Sequence, residues 1–125
     1  MPTYLQKVAL RGVESFAFHG YYPEEQLTGN HFVTDVEALF EAPAATDDIE
    51  QTVNYEVINM LIQKEMSSVQ KLLETVIRNI LDGLLAAYPF IVEAAVSIRK
   101  KHPPMPGQID HSLVEIRYIR DAHGV

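Results

Sequence analysis

Four side chains of this sequence could do chemistry together: Lys100, Glu74, Glu25 and Tyr55. Lys100 ends a stretch in which Val92, Ala94, Val96 and Ile98 alternate. Strict strand parity therefore puts Lys100 on their apolar side and turns Lys101 away. An ammonium at the edge of an apolar face loses hydration, which favours the neutral amine, the form that can act as a general base. The same pattern fits a lysine whose stem lies on the apolar face and whose head stays in water. Glu74 follows Leu72-Leu73 at the start of an apolar-periodic segment. A carboxylate there can accept paired hydrogen bonds from a ligand with adjacent N–H donors, or pair with Arg78 one turn on. Glu25 belongs to a polar loop, Pro23-Glu24-Glu25-Gln26, where acids are commonly solvated. Tyr55 opens a helical segment after Thr52-Val53-Asn54, as a reactive phenol or as a half-buried packing residue.

Other chemistries lack their residues. There is no cysteine, which removes disulfides, thiol nucleophiles and thiolate metal sites together. The five histidines, at 19, 31, 102, 111 and 123, include no pair at the i, i+2 or i, i+4 spacing of local metal ligation. No metal and no cofactor are expected. No Gly-x-Ser-x-Gly elbow, phosphate-binding loop or dinucleotide-binding glycine pattern occurs. The formal charge of −7, with one short basic run at Arg99-Lys100-Lys101-His102, argues against nucleic acid as a partner.

These residues need a scaffold, and 125 residues suffice for a single domain spanning 1–125. The first seven residues hold no continuous apolar run, and no apolar run approaches the ~20 residues that span a bilayer. The expectation is a soluble cytoplasmic protein without a membrane partner.

Residues 4–18 read as a long strand bent near Gly12, because glycine within a strand often marks a bulge. A loop then runs from His19 to Asn30. From His31 to Phe40, Phe32, Thr34, Val36, Ala38 and Phe40 share one face. The Pro/Ala/Asp-rich stretch 42–48 reads as a loop. Val57, Ile58, Leu61, Ile62 and Met66 recur at helical spacing behind Asn54, a plausible N-cap. A stronger apolar stripe runs from Leu72-Leu73 to Tyr88 and is closed by Pro89. Strands at 91–100 and 112–120 flank the stiff loop Lys101-His102-Pro103-Pro104-Met105-Pro106-Gly107. The fold class is α+β: order ββααββ, with two helices on one face of a four-stranded antiparallel sheet.

Taken in order, four segments resemble the dihydroneopterin aldolase family of folate biosynthesis. They are His19-Gly20-Tyr21-Tyr22-Pro23-Glu24-Glu25-Gln26 with Gly29-Asn30-His31-Phe32 and Asp35; Thr46-Asp47-Asp48-Ile49 with Thr52-Val53-Asn54-Tyr55; Leu72-Leu73-Glu74; and Val96-Ser97-Ile98-Arg99-Lys100-Lys101-His102-Pro103-Pro104 with Pro106-Gly107 and Val114-Glu115-Ile116. The resemblance runs from the first strand to the last. It implies the T-fold, in which ββααββ subunits form homo-oligomeric rings, a tetramer or an octamer, with active sites shared between neighbours.

Residue by residue, the resemblance implies that Lys100 is the catalytic lysine, since it stands three residues before Pro103-Pro104. Tyr55 corresponds to a tyrosine that assists proton transfer from the neighbouring subunit. Glu74 corresponds to the pterin-anchoring carboxylate, with Leu73 supplying backbone contact and Val53 a pocket wall. Glu25 matches the glutamate that handles the substrate's hydroxylated side chain, with Glu24 adjacent as the competing assignment. The implied reaction is retro-aldol cleavage of 7,8-dihydroneopterin without metal or Schiff base. Two alternatives stay open: an epimerase acting on dihydroneopterin or its triphosphate, and a non-catalytic pterin-binding ring protein. The zinc-dependent pterin synthase of the same fold needs three histidines, two closely spaced, which this chain lacks.

Overall fold

The alternation at 31–40 becomes a strand in the middle of the sheet. Phe32, Thr34, Val36, Ala38 and Phe40 are each buried to 1% exposure or less, while their neighbours are more open. The computed structural model describes residues 3–44 and 47–121. Thr46, which opens the second family segment, and His123 lie outside the described residues. Four strands, β1 (Leu5–Ala17), β2 (Asn30–Glu41), β3 (Glu93–Lys101) and β4 (His111–Ile119), form one antiparallel sheet in the order β1-β2-β3-β4.

Among the described residues, three helices accompany the sheet: α1 (Pro23–Thr28), α2 (Tyr55–Met66) and α3 (Leu73–Ala87), with a 3-10 turn at Ile49–Gln51. α2 packs on β1, and α3 lies across β3 and β4. The apolar stripes do as their spacing predicts. Ile58, Ile62 and Met66 of α2, and Val76, Ile77, Ile80, Leu81 and Leu84 of α3, join Phe32, Val36, Phe40, Val96 and Ile98 in one core. Burying each such side chain contributes about 1.5–3 kcal/mol, so this face carries the fold.

The opposite face of the sheet is mixed, with ion pairs beside exposed apolar side chains on β1 and β4. Glu37 takes Lys7 at 2.8 Å and Arg11 at 3.5 Å, and Arg99 approaches Asp35 at 3.7 Å. An antiparallel sheet with one packed and one wet face gives this alternation.

Gly12 bends β1 as expected. The register slips between Leu10↔Val36 and Val13↔Thr34, Gly12 adopts φ +70°, and its N–H donates to Asp35 Oδ1 at 2.6 Å. Asn54 caps α2, its Oδ1 accepting from Glu56 N–H at 2.9 Å.

Two expectations need correction. The stretch after His19 contains the short helix α1, started by Pro23 at its first position with two acids in the first turn. Proline there is already set for helical φ and loses no intrahelical bond, which stabilises even a single turn and a half. Leu72, expected as a core residue, is the cap position before α3 and is 48% exposed. Among the described residues, no helix is long and apolar enough to cross a membrane.

Candidate active site

Lys100 is the penultimate residue of β3, paired across the sheet with Phe32 on one side and Ser112 on the other. Its parity is as predicted: the stem continues the Ile98 face, and Nζ lies 5.9 Å from the centre of the Phe32 ring. Only 13% of the side chain is exposed. Lys101 turns the other way and pairs with Asp110 at 3.3 Å. The Lys100 head is not left in water. It donates to Glu25 Oε1 at 3.0 Å.

Glu25 owes its position to α1. The helix turns it back so that Oε2 also accepts from Tyr22 N–H at 3.3 Å. Burial pushes the Glu25 carboxyl up, but the hydrogen bond and charge of Lys100 and the backbone N–H groups of Tyr22 and Tyr21 outweigh it. The net result is a carboxyl held below its ordinary 4.5. The hydrogen bond and ion pair of Lys100 go to Glu25 and not to Glu24 among the described residues, which favours Glu25 of the two acids.

A cleft of about 380 Å³ opens beside this pair. Glu25 and Lys100 form part of its wall; Leu73 and Glu74, brought by the first turn of α3, form another. Pro103 and Pro104 from the stiff loop, and Tyr21 and Tyr22 before α1, complete most of the rim. Glu74 is exposed toward this space and makes no ion pair with Arg78 among the described residues. An apolar slot with a lone carboxylate at one side and an amine–carboxylate pair at another suits a flat ligand. Such a ligand would carry N–H donors on one edge and hydroxyls on the other.

A family model for dihydroneopterin aldolase matches residues 8–117, which takes in every one of these side chains. The chain belongs to the dihydroneopterin aldolase family. Curated aldolases of this name agree along their lengths. That of Bacillus subtilis is 31% identical over 90% of this chain and 96% of its own, and that of Methylorubrum extorquens is 30% identical over 88% and 87%. Solved structures share the fold. The Escherichia coli dihydroneopterin aldolase in complex with neopterin aligns at a TM-score of 0.80 and 19% identity, covering 90% of this chain and 98% of that one. A Vibrio cholerae protein described as a dihydroneopterin aldolase aligns at 0.77 and 21%, covering 92% and 98%.

Two residues expected in the aldolase site stand elsewhere in the subunit. Tyr55, 59% exposed at the start of α2, borders a separate shallow hollow with Leu10, Val13, Asn59 and Met60. Val53 is 2% exposed and packed into the core. Neither lines the Lys100 cleft of its own chain. Lys100, Glu25, Glu74 and Leu73 are the four that the fold brings together.

Sequence reasoning missed the parts that hold the aldolase cleft in shape. A Cβ on Gly20 would come within 2.5 Å of Glu25 Oε2, so only glycine leaves Glu25 room to reach Lys100. Gln26 Nε2 donates to the Gly20 carbonyl at 2.9 Å, tying α1 to the end of β1. His19 is 1% exposed, and its Nδ1 accepts from Gln70 N–H at 3.0 Å. The adjacency of Glu25 to Gly20 has no local signature, because it depends on a helix too short to show a period.

Proposed function

We propose that this chain cleaves 7,8-dihydroneopterin by a retro-aldol reaction into 6-hydroxymethyl-7,8-dihydropterin and glycolaldehyde. The observation that carries this reading is the single cleft shared by Lys100, Glu25 and Glu74. The family and the neopterin held by the E. coli relative point to the same ligand class.

Retro-aldol cleavage needs a base for a hydroxyl proton and a sink for the electron pair of the breaking bond. Many aldolases make the sink from a lysine imine or a metal. In 7,8-dihydroneopterin the ring already has a C=N bond next to the side chain. The protein's task is then positioning and proton handling. Glu74 accepts paired hydrogen bonds from the aminopyrimidinone edge, and the Leu73 backbone lies beside it. Glu25 takes the hydroxyls of the side chain. As it does so it leaves Lys100, whose ammonium must give a proton to solvent before it has the lone pair a base needs.

Lys100, directly or through a water, then removes the 2′-hydroxyl proton. The C1′–C2′ bond breaks, its electrons move into the ring C=N, and C2′ leaves as the aldehyde carbon of glycolaldehyde. Returning a proton to C1′ of the enol gives the hydroxymethyl product, so the protein ends unchanged. Tyr55 assists that return, supplied by a neighbouring subunit together with the Val53 segment.

Two features support a homo-oligomeric ring. β1 and β4 are open edges of the sheet, and open edges are templates for strand pairing. Both carry exposed apolar side chains: Leu5 at 62% and Phe16 at 54% on β1, Leu113 at 54% and Ile119 at 64% on β4. Pairing β1 of one copy with β4 of the next sets them side by side on one face and removes both edges. It also sets Tyr55 of one copy toward the cleft of another.

Product analysis tests the reading. With 7,8-dihydroneopterin the expected products are glycolaldehyde and the hydroxymethyl pterin in equal amounts. Formation of a stereoisomer alone, or activity only on the triphosphate, would assign the epimerase reaction instead. No turnover by the assembled oligomer would leave a binding protein.

A further inference from the structure

The helix that carries Glu74 starts without a cap of its own. Leu72 stands at the cap position and offers no side-chain hydrogen bond to the first turn. What fixes this start comes from another part of the chain. Gly20 N–H donates to the Gln70 carbonyl at 3.1 Å, and Gln70 N–H donates to His19 Nδ1 at 3.0 Å. Residue 70 is thus held by both of its backbone polar groups, two residues before the cap and four before Glu74. The same Gly20 accepts from Gln26, the neighbour of Glu25. His19-Gly20 therefore joins the element bearing Glu25 to the one bearing Glu74.

His19 is costly for a packing residue. It is buried, its ring meets Phe32 edge-on at 5.8 Å, and its Nε2 lacks a well-formed hydrogen bond, the Glu65 carbonyl interacting with the ring only outside good geometry. A buried polar atom so weakly paired costs free energy, and an apolar side chain of similar size would avoid that cost. What an apolar side chain cannot supply is the acceptor for Gln70 N–H. Because Nδ1 accepts, the ring is neutral with its hydrogen on Nε2.

We propose that His19 is a positioning residue for pterin binding: by accepting from Gln70 N–H it holds the start of α3 so that Glu74 faces the Lys100–Glu25 pair across the cleft. The proposal rests on the reading that Glu74 anchors the pterin. Protonating Nδ1 removes the acceptor and sets an N–H against an N–H, so the positioning is lost in acid. Burial lowers the His19 pKa from 6.5, as does the charge of Lys100 on β3; the backbone carbonyl and carboxylate of Glu65 on α2 oppose this only in part. The midpoint of the loss therefore lies below pH 6.5.

The test compares His19→Leu, which keeps bulk without an acceptor, with His19→Asn, whose Oδ1 can stand where Nδ1 does. The probe is neopterin, measured by calorimetry on the assembled oligomer, with melting temperature and steady-state kinetics alongside. His19→Leu should weaken neopterin about tenfold, the worth of one good buried hydrogen bond, and raise KM while kcat changes little. His19→Asn should recover most of the affinity and lack the wild-type loss of binding below pH 6.5.

Equal affinity in the two variants, or a wild-type pH profile retained in His19→Asn, overturns the proposal. That pH profile decides the matter even if the leucine variant does not fold. Glu74→Ala separates the two claims: if it binds neopterin as wild type does, the anchor reading fails whatever His19 does. If Glu74→Ala weakens binding and His19→Leu costs just as much again on that background, the anchor stands and the His19 proposal falls.

Discussion

Lys100 Nζ lies 3.0 Å from Glu25 Oε1, joining the end of β3 to a six-residue helix 75 positions earlier in the chain. With 13% and 16% of their side chains exposed, the two form a partly buried ion pair at the wall of the cleft. A pair so placed is weak evidence of stability, because desolvation offsets much of the attraction. Its value is chemical: it aims an amine and a carboxylate at the same small volume.

Replacing Lys100 with alanine should therefore remove proton transfer more than binding. The expected loss in kcat is about 10²–10⁴-fold, the usual contribution of a positioned acid or base. Neopterin affinity, followed by calorimetry, should stay close to wild type. A Lys100→Ala protein that cleaves at the full rate shows that another group is the base.

Glu74→Ala should have the complementary signature. Two charge-assisted hydrogen bonds are lost, and the dissociation constant for neopterin should rise about 10²-fold. The melting temperature should barely move, since Glu74 is exposed and makes no ion pair among the described residues. Unchanged binding removes Glu74 from the anchor role.

Gly20→Ala tests the packing beneath the pair. The new methyl group collides with the Glu25 side chain, and either the backbone shifts or Glu25 leaves Lys100. Destabilisation of about 1–3 kcal/mol is expected from overpacking, together with a fall in kcat/KM. Denaturant unfolding and initial rates measure the two effects. Wild-type values for both contradict the description of this contact.

The pH dependence of stability follows from Glu25. Its folded carboxyl is held below the ordinary 4.5, so in between the unfolded chain binds more protons, and stability rises with pH there. The contribution is fully present above 4.5 and is lost as pH falls through the lowered value. Melting curves of wild type and Glu25→Gln should differ at neutral pH and converge in acid. A gap that stays constant across this range contradicts the assignment.

Sharing of the site between subunits can be read by mixing two impaired proteins. On the proposed reading, Lys100→Ala and Tyr55→Phe each disable a different half of every site. Rings assembled from both should contain some clefts with an intact Lys100 facing an intact Tyr55, and activity should exceed the sum of the parents. No recovery after confirmed mixing places both residues within one chain's site.

Much of this was legible in the sequence where a local rule applies. Strand parity put Lys100 toward the core and Lys101 away from it, the alternation from Phe32 to Phe40 marked the core face of β2, Gly12 marked the bulge, and Asn54 marked the cap of α2. Pro23 followed by two acids carried the signal for α1, but six residues are too few for a hydrophobic period to confirm it. Burial alone therefore gave an incomplete account of Lys100, because its carboxylate partner arrives on that helix. The Gln70 clamp was illegible for a different reason. A lone histidine and a backbone amide 51 residues apart leave no pattern, and only the packed fold shows them bonded.

The central claim is that Lys100 works on a substrate whose own ring accepts the electron pair. Incubating the oligomer with 7,8-dihydroneopterin in excess EDTA and measuring initial glycolaldehyde release, with sodium borohydride added to a parallel sample to trap any imine, tests it most directly. An undiminished initial rate, with no reduced adduct on Lys100 by mass spectrometry, is the predicted result. Abolition of cleavage by EDTA, or a borohydride-trapped lysine adduct, contradicts it.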